Sequence, residues 1–442
     1  MLVAGHGRAA DLNYRGLGAV CCCALGMGAK ESMVTAPFAV LIIDRVLAQR
    51  GLLEVVRRRW ALYAGLCASW GVLAVLLWHG PRGDSAGLEH LGTWDYLLNQ
   101  CWVLADYAQK IFWPHPLALD YGYARPMSLL AVAPQALLLC GAGALTLRSL
   151  WRNQWAGAAA ALVFLTLAPT SSFLPIATEV GAERRMYLPM AVLLPLMGSV
   201  LSALLALGLG SVRAWWAMAV LVPVAALVLG GATVRRNLDY RSEMALWQSA
   251  VLAMPDNPRG HNNLALALDS AGRLEEAVLS YRRALELDPS LSEAYSNLGK
   301  SLYRMGRLPE AVDALRRALA LRPNFLAARY NLGQILVKAG RHEEAIGHLR
   351  KVLVVEPHMF AARFKAGEAL LELGRAGEAL AHLTRAAQLR PDDAQSHFYL
   401  GRAYEQLQRV VEMVQAYRRV LELEPGHAAV IQRMTETGAA AE

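Results

Sequence analysis

Apolar runs broken by short charged loops fill the chain up to about Thr233, and from Arg235 onward the pattern turns charged, Ala- and Leu-rich and periodic. Crossing a hydrocarbon core as a helix takes about 20 apolar residues. Residues 60–79, 128–147, 155–173 and 187–208 are runs of about that length, and 215–233 makes a fifth. Two shorter runs, 16–29 and 33–43, flank Lys30-Glu31-Ser32 and read either as two short spans or as one long helix with an ion pair at mid-depth. The pattern predicts an all-α protein in which a polytopic transmembrane helical domain is followed by water-exposed helices.

The charged loops orient these spans. Arg45, Arg50, Arg57, Arg58 and Arg59 crowd one loop, and Arg148 with Arg152 crowd another; the positive-inside rule assigns both to the cytoplasmic face. Alternation then sends 80–95, 114–127, 172–186 and everything after Thr233 to the other side, provided that 96–113 does not cross. That segment carries Asn99, Gln100, Asp106, Gln109 and Lys110 and is expected to form an interfacial amphipathic helix. The non-cytoplasmic side is the periplasm if the membrane is a bacterial inner membrane, and the lumen of the endoplasmic reticulum in a eukaryote.

In the second half, Pro255, Pro289, Pro323, Pro357, Pro391 and Pro425 are spaced by a constant 34 residues, the period of tetratricopeptide repeats (TPR). Gly299, Gly333, Gly367 and Gly401 keep the same phase, as do Ala277, Ala311, Ala345 and Ala379. Each unit is expected to be a helical hairpin with Gly272, Gly306, Gly340 or Gly374 at its turn and a proline closing the second helix. One hairpin cannot bury its own apolar face, so the units must stack into a solenoid with capped ends. The expected layout is a transmembrane domain over 1–234, a linker and capping half-repeat over 235–257, five repeats over 258–433 and a tail over 434–442. Asn263, Asn297 and Asn331 share one first-helix position, on the face expected to line the concave groove. A side-chain amide both donates and accepts, so a row of them suits an extended peptide backbone of any sequence. Lys365 and Tyr399 interrupt that row, and the plain alternative is that Asn is simply frequent at this position of the repeat.

Composition narrows the function classes. At 55 % hydrophobic and 18 % charged residues the chain is too apolar for an ordinary soluble enzyme. Its net charge of +8 has no dense basic stripe behind it: there are 18 Lys/Arg against 12 Asp/Glu through residue 240, and 26 against 24 after it. No nucleic-acid partner is expected. The six cysteines lie in or beside apolar runs without CxxC spacing, and no metal set with credible spacing is present.

The segments "KESMVTAPFAVLIID", "YAQKIFWPHPLALDY" and "APTSSFLPIATEVGAERRMYLP", followed by repeats of this period, resemble the transmembrane-and-tetratricopeptide (TMTC-type) protein O-mannosyltransferases and their bacterial relatives, of the GT-C class of lipid-linked sugar transferases. The resemblance implies transfer of mannose or a similar sugar from a polyprenyl- or dolichyl-phosphate carrier, the donor substrate, to Ser or Thr hydroxyls of a protein held by the repeats. No bound cofactor is implied. The partners expected are a lipid bilayer, the lipid-linked sugar and a protein or peptide acceptor in the TPR groove.

Such transfer needs a carboxylate to take the hydroxyl proton and cations to steady the leaving phosphate. Lys30, Glu31, Glu183, Arg184, Arg185 and Tyr187 are the candidate lipid-phosphate and donor site, since Arg grips phosphate bidentately and Lys as a point charge. The plainer alternative for Glu183 to Tyr187 is an interfacial anchor. The family's acidic first external loop is expected to lie upstream of this chain, so no catalytic base is assigned; Arg185 also stands where the family pattern has an apolar or aromatic residue. The alternative function is a non-catalytic, membrane-anchored TPR scaffold.

Overall fold

The computed structural model describes residues 14–29, 34–49, 51–78, 93–112, 127–152, 154–171 and 187–436, and every described element is a helix. The chain divides into two compact units, residues 1–260 and 261–442.

The first unit opens with α1 (Tyr14–Ala29) and α2 (Ala36–Ala48), followed by α3 (Leu52–Arg58), α4 (Trp60–Ala68) and α5 (Trp70–Trp78). The runs at 16–29 and 33–43 are therefore two helices rather than one. The run at 60–79 is also divided, at Ser69, whose hydroxyl donates to the Leu66 carbonyl at 2.5 Å and to Cys23 Sγ at 3.3 Å. Trp70 Nε1 donates to the Val34 carbonyl at 3.0 Å, tying α5 to the start of α2.

Arg59, one of the arginines crowded into the 45–59 loop of the sequence reading, donates from Nη1 to both Asp44 oxygens at 2.9 and 3.0 Å, while the Tyr63 hydroxyl donates to Asp44 Oδ2 at 2.7 Å. Asp44 is only 4 % exposed, and a carboxylate so buried needs such partners.

The unit continues with α6 (Thr93–Phe112), α7 (Leu129–Trp151), α8 (Trp155–Ser171), α9 (Tyr187–Leu209), α10 (Ser211–Asp239) and α11 (Glu243–Ala253). The amphipathic segment forms α6, whose Val103 and Tyr107 pack with Leu167 and Val163 of α8 and with Ala253 and Met254. Its Asn99 and Gln100 are buried, and Asp106 and Lys110 pair at 2.9 Å one turn apart. Among the described residues, three helical stretches are long and apolar enough to cross a membrane: Leu129–Trp151, Pro189–Leu209 and Ser211–Asp239. Where α10 ends, Arg236 donates to Asp239 at 2.9 Å and to Ser249 of α11 at 2.6 Å, and lies over the Tyr240 ring.

The second unit continues with α12 (Pro258–Ser270), which starts just before its boundary, and pairs it with α13 (Leu274–Leu287). Four more hairpins follow: α14 (Ser292–Arg304) with α15 (Leu308–Leu321), α16 (Leu326–Lys338) with α17 (His342–Val355), α18 (Phe360–Glu372) with α19 (Ala376–Leu389), and α20 (Ala394–Gln406) with α21 (Val410–Leu423). A single helix, α22 (Ala428–Glu436), ends the described chain.

The hairpin turns use Gly272, Gly306, Gly340 and Gly374 at φ of +73 to +78°, the left-handed region that glycine enters without a side-chain clash. The fifth turn places Gln408 there, at φ 57°. A Cβ added to Gly299, Gly333 or Gly367 would lie 2.5–2.8 Å from the leucine of the paired helix, Leu315, Leu349 or Leu383. The small residues thus let each pair of helices close to contact. At the open end, Val430 and Met434 of α22 cover Met413, Tyr417 and Val420 of α21.

A charge ladder on the second helices links successive hairpins. Arg282–Glu310, Arg316–Glu344 and Arg350–Glu378 bridge neighbouring repeats at 3.1, 2.8 and 3.0 Å. Each of those glutamates also takes an arginine of its own turn, Arg307, Arg341 or Arg375.

Candidate functional site

Successive first helices, α14, α16, α18 and α20, lie against one another and form the inner layer of the solenoid. The 34-residue period puts one residue per repeat at each height of that layer. Asn263, Asn297 and Asn331 are each half-buried there. The row begins with a link the sequence reading missed: Asn262 donates to Asn263 Oδ1 at 3.2 Å, and Asn297 donates to Asn262 Oδ1 at 3.5 Å. Asn331 makes no side-chain hydrogen bond among the described residues, which leaves its donors and acceptor open to a ligand. The fourth and fifth positions change chemistry rather than simply breaking the row. Lys365 donates to Glu368 Oε2 at 2.6 Å, and the Tyr399 hydroxyl donates to Glu368 Oε1 at 3.2 Å.

Glu368 was legible in principle. It stands one helical turn after Lys365, so the ion pair within its own repeat follows from spacing, whereas its bond to Tyr399 depends on the packing of neighbouring repeats. Around it the inner face is aromatic and ionic. Phe364 meets Tyr399 edge to face at 5.2 Å, Arg402 lies 5.4 Å over the Tyr399 ring, and Arg402 pairs with Glu372 at 3.2 Å. Burial first, and then the Glu368 charge, push the Tyr399 phenol up to about 12, so it remains a protonated donor. Between the amide half and this half lies a cavity of about 340 Å³, lined by Tyr303, Gln334, Lys338, His342, Lys365 and the glutamates 368 and 372. Lys338 is exposed and has no ion-pair partner among the described residues.

Lys30, Glu31, Glu183, Arg184 and Arg185 lie outside the described residues; Tyr187 begins α9, with only its backbone described. The structure therefore brings together the groove residues, and the donor-site residues stay a sequence expectation. No group of three or more His, Cys, Asp or Glu side chains among the described residues could hold a metal ion.

The repeats match two family models, one described as Tetratricopeptide repeat over residues 296–362 and 364–428 and one described as TPR repeat over 270–306. Among curated proteins the chain is similar to Protein O-mannosyl-transferase Tmtc1 of Drosophila melanogaster, 34 % identical over 142 residues, which is 30 % of this chain and 15 % of that protein. It is likewise similar to Protein O-mannosyl-transferase TMTC1 of Mus musculus, 35 % identical over 137 residues, 30 % of this chain and 14 % of the relative. It is also 39 % identical over 64 residues to TPR repeat-containing thioredoxin TTL4 of Arabidopsis thaliana, 14 % of this chain and 9 % of that one. The matched stretches thus span less than a sixth of the length of these relatives. Among solved structures, YrrB, described as a TPR protein with an unusual peptide-binding site, is 24 % identical, covers 43 % of this chain and 97 % of its own, and superposes with a TM-score of 0.40. The second unit is a TPR α-solenoid, the repeat architecture its 34-residue period predicts.

Proposed function

We propose that this protein is anchored in a membrane by its first unit and uses the inner face of the solenoid to hold an extended polypeptide. The observation that carries this reading is the inner-face row Asn263, Asn297 and Asn331, extended by Asn262 and Gln334 and leading to the cavity beside Lys338. Amides at a fixed period engage backbone rather than side chains, so affinity should depend weakly on the sequence of the bound segment. Each such hydrogen bond contributes about 1 kcal/mol net. The test is binding of labelled unstructured peptides to the full chain in detergent or nanodiscs. The variant N263A/N297A/N331A should weaken all peptides by a similar factor, on the order of tenfold or more, and equal binding by variant and wild type would refute the groove.

The held polypeptide is, on this proposal, the acceptor in an O-glycosyl transfer from a polyprenyl- or dolichyl-phosphate sugar to Ser or Thr. Two observations favour it: the likeness to proteins named O-mannosyl-transferases, and the clustering of Glu183, Arg184, Arg185 and Tyr187 in the sequence. Arg184 and Arg185, with Lys30, would steady the departing phosphate, and Glu183 and Glu31 would orient them. The solenoid would then stand on the non-cytoplasmic side with 172–186. In cells carrying the full-length gene, R184A should abolish the hexose mass increment on exported proteins while leaving peptide binding intact. Unchanged glycosylation together with normal peptide binding would leave the membrane-anchored scaffold as the function.

A further inference from the structure

Two tight turns of the first unit display the same pair of side chains. At the α7–α8 turn, Arg148 and Arg152 are exposed beside Trp151 (86 % exposed) and Trp155 (58 %). At the α9–α10 turn, Arg213 is exposed beside Trp215 (63 %) and Trp216 (62 %), whose rings meet edge to face at 4.8 Å. None of these three arginines has an ion-pair partner among the described residues.

Both turns are short. The Gln154 amide donates to the Ser149 carbonyl at 3.0 Å, and a Cβ on Gly157 would lie 2.5 Å from the Leu150 nitrogen, so α8 starts pressed against the end of α7. Gly210, at φ +81°, joins α9 to α10 as a single residue. Four indoles held in the open are unfavourable in water, and unpaired guanidiniums beside them need an anion. A bilayer surface supplies both conditions at one depth, with apolar chain below and phosphate above.

We infer that these two turns form one binding surface for the headgroups of anionic phospholipids, with Arg148, Arg152 and Arg213 on the phosphates and the tryptophans at glycerol depth. The inference rests on the membrane reading above. It follows from chain continuity: α7, α9 and α10 are each long and apolar enough to cross, and when α8 crosses as well, both turns emerge on the same face.

The test reconstitutes the full chain in nanodiscs of phosphatidylcholine alone and of phosphatidylcholine mixed with phosphatidylglycerol, then counts retained lipids by native mass spectrometry. Wild type should retain phosphatidylglycerol over phosphatidylcholine by about fivefold or more relative to the bulk mixture, the factor expected of even one interfacial arginine. R148Q/R152Q/R213Q should return the ratio to that of the bulk, whereas R148K/R152K/R213K should keep the preference, because the attraction is to charge at the surface. Incorporation without lipid preference, or an undiminished preference in the glutamine variant, overturns the proposal alone. Failure to enter nanodiscs of either composition overturns the membrane reading and the proposal with it.

Discussion

A carbon added to Gly401 in the solenoid would lie 2.3 Å from Cε1 of Tyr417, whereas one added to Gly230 or Gly231 in α10 would meet nothing within 4 Å. Each of these glycines lies inside a helix, so residue type alone does not separate them. In the second unit every hairpin must hide its apolar face from water against the next, and small residues mark where backbones close. In α10 Ala214 is the one buried residue, and Leu227 and Val228 are 76 % and 66 % exposed. Its apolar surface is not spent on protein, which is the condition of a helix whose solvent is hydrocarbon. Periodic contact organises one unit, and length and apolarity organise the other.

The largest expected effect tests an exception to that contrast, the buried Asp44–Arg59–Tyr63 cluster of the first unit. R59M strands a carboxylate that is 4 % exposed and should destabilise the unit by about 3 kcal/mol, read as a lower denaturant midpoint in detergent; D44N/R59M should recover most of the loss. Next, G401A should lower solenoid stability by about 2 kcal/mol through overpacking on Tyr417, while G230A should change stability by less than about 0.5 kcal/mol. Equal effects at both positions would erase the comparison. Smaller than the G401A loss and opposite in sign, Q408G should stabilise the fifth hairpin by up to about 1 kcal/mol, because the other four turns already use glycine at positive φ.

A pH titration sharpens the solenoid side of the comparison. Burial, with Arg329 beside one ring and Arg363 beside the other, holds the His348 and His382 imidazoles below their ordinary value of 6.5. Above pH 6.5 folded and unfolded chains are both neutral at these sites, and the contribution is complete. As pH falls through 6.5 the unfolded chain takes up protons that the native one refuses, so stability declines. Glu344 and Glu378 are held below 4.5, chiefly by hydrogen bonds from Arg316 and Arg375 respectively. Their contribution is therefore kept until pH drops below about 4.5 and is lost only further down. Thermal melts of the full chain should show a first decline starting near pH 6.5 and a second below 4.5, and H348Q/H382Q should remove only the first.

Much of the solenoid was open to reading from the chain. The prolines every 34 residues, the small residues in phase with them and the turn glycines each report a local backbone demand that any neighbour would have to respect. Gln408 escaped because only the backbone shows that it fills the left-handed position of a missing glycine. In the groove, the asparagine row was readable as a period, but the meeting of Lys365 and Tyr399 on Glu368 was not, since it depends on two helices 34 residues apart being packed side by side. In the first unit the apolar runs announced helices, yet the meeting of Ser69 with Cys23 and the capture of Arg59 by Asp44 turn on side-chain bonds between segments far apart in the chain.

By itself the sequence determined what is local and repeated: which segments are helical, which are apolar enough to leave water, and where a 34-residue unit begins and ends. Among the described residues, tertiary structure decided which polar groups are partnered and which stay available, Asp44 and Glu368 among the first, Asn331, Lys338 and Arg213 among the second. The physical reason is range. Propensity and hydrophobic period act over a few residues along the chain, whereas hydrogen bonding and burial are settled between atoms that only folding brings within 3 to 4 Å.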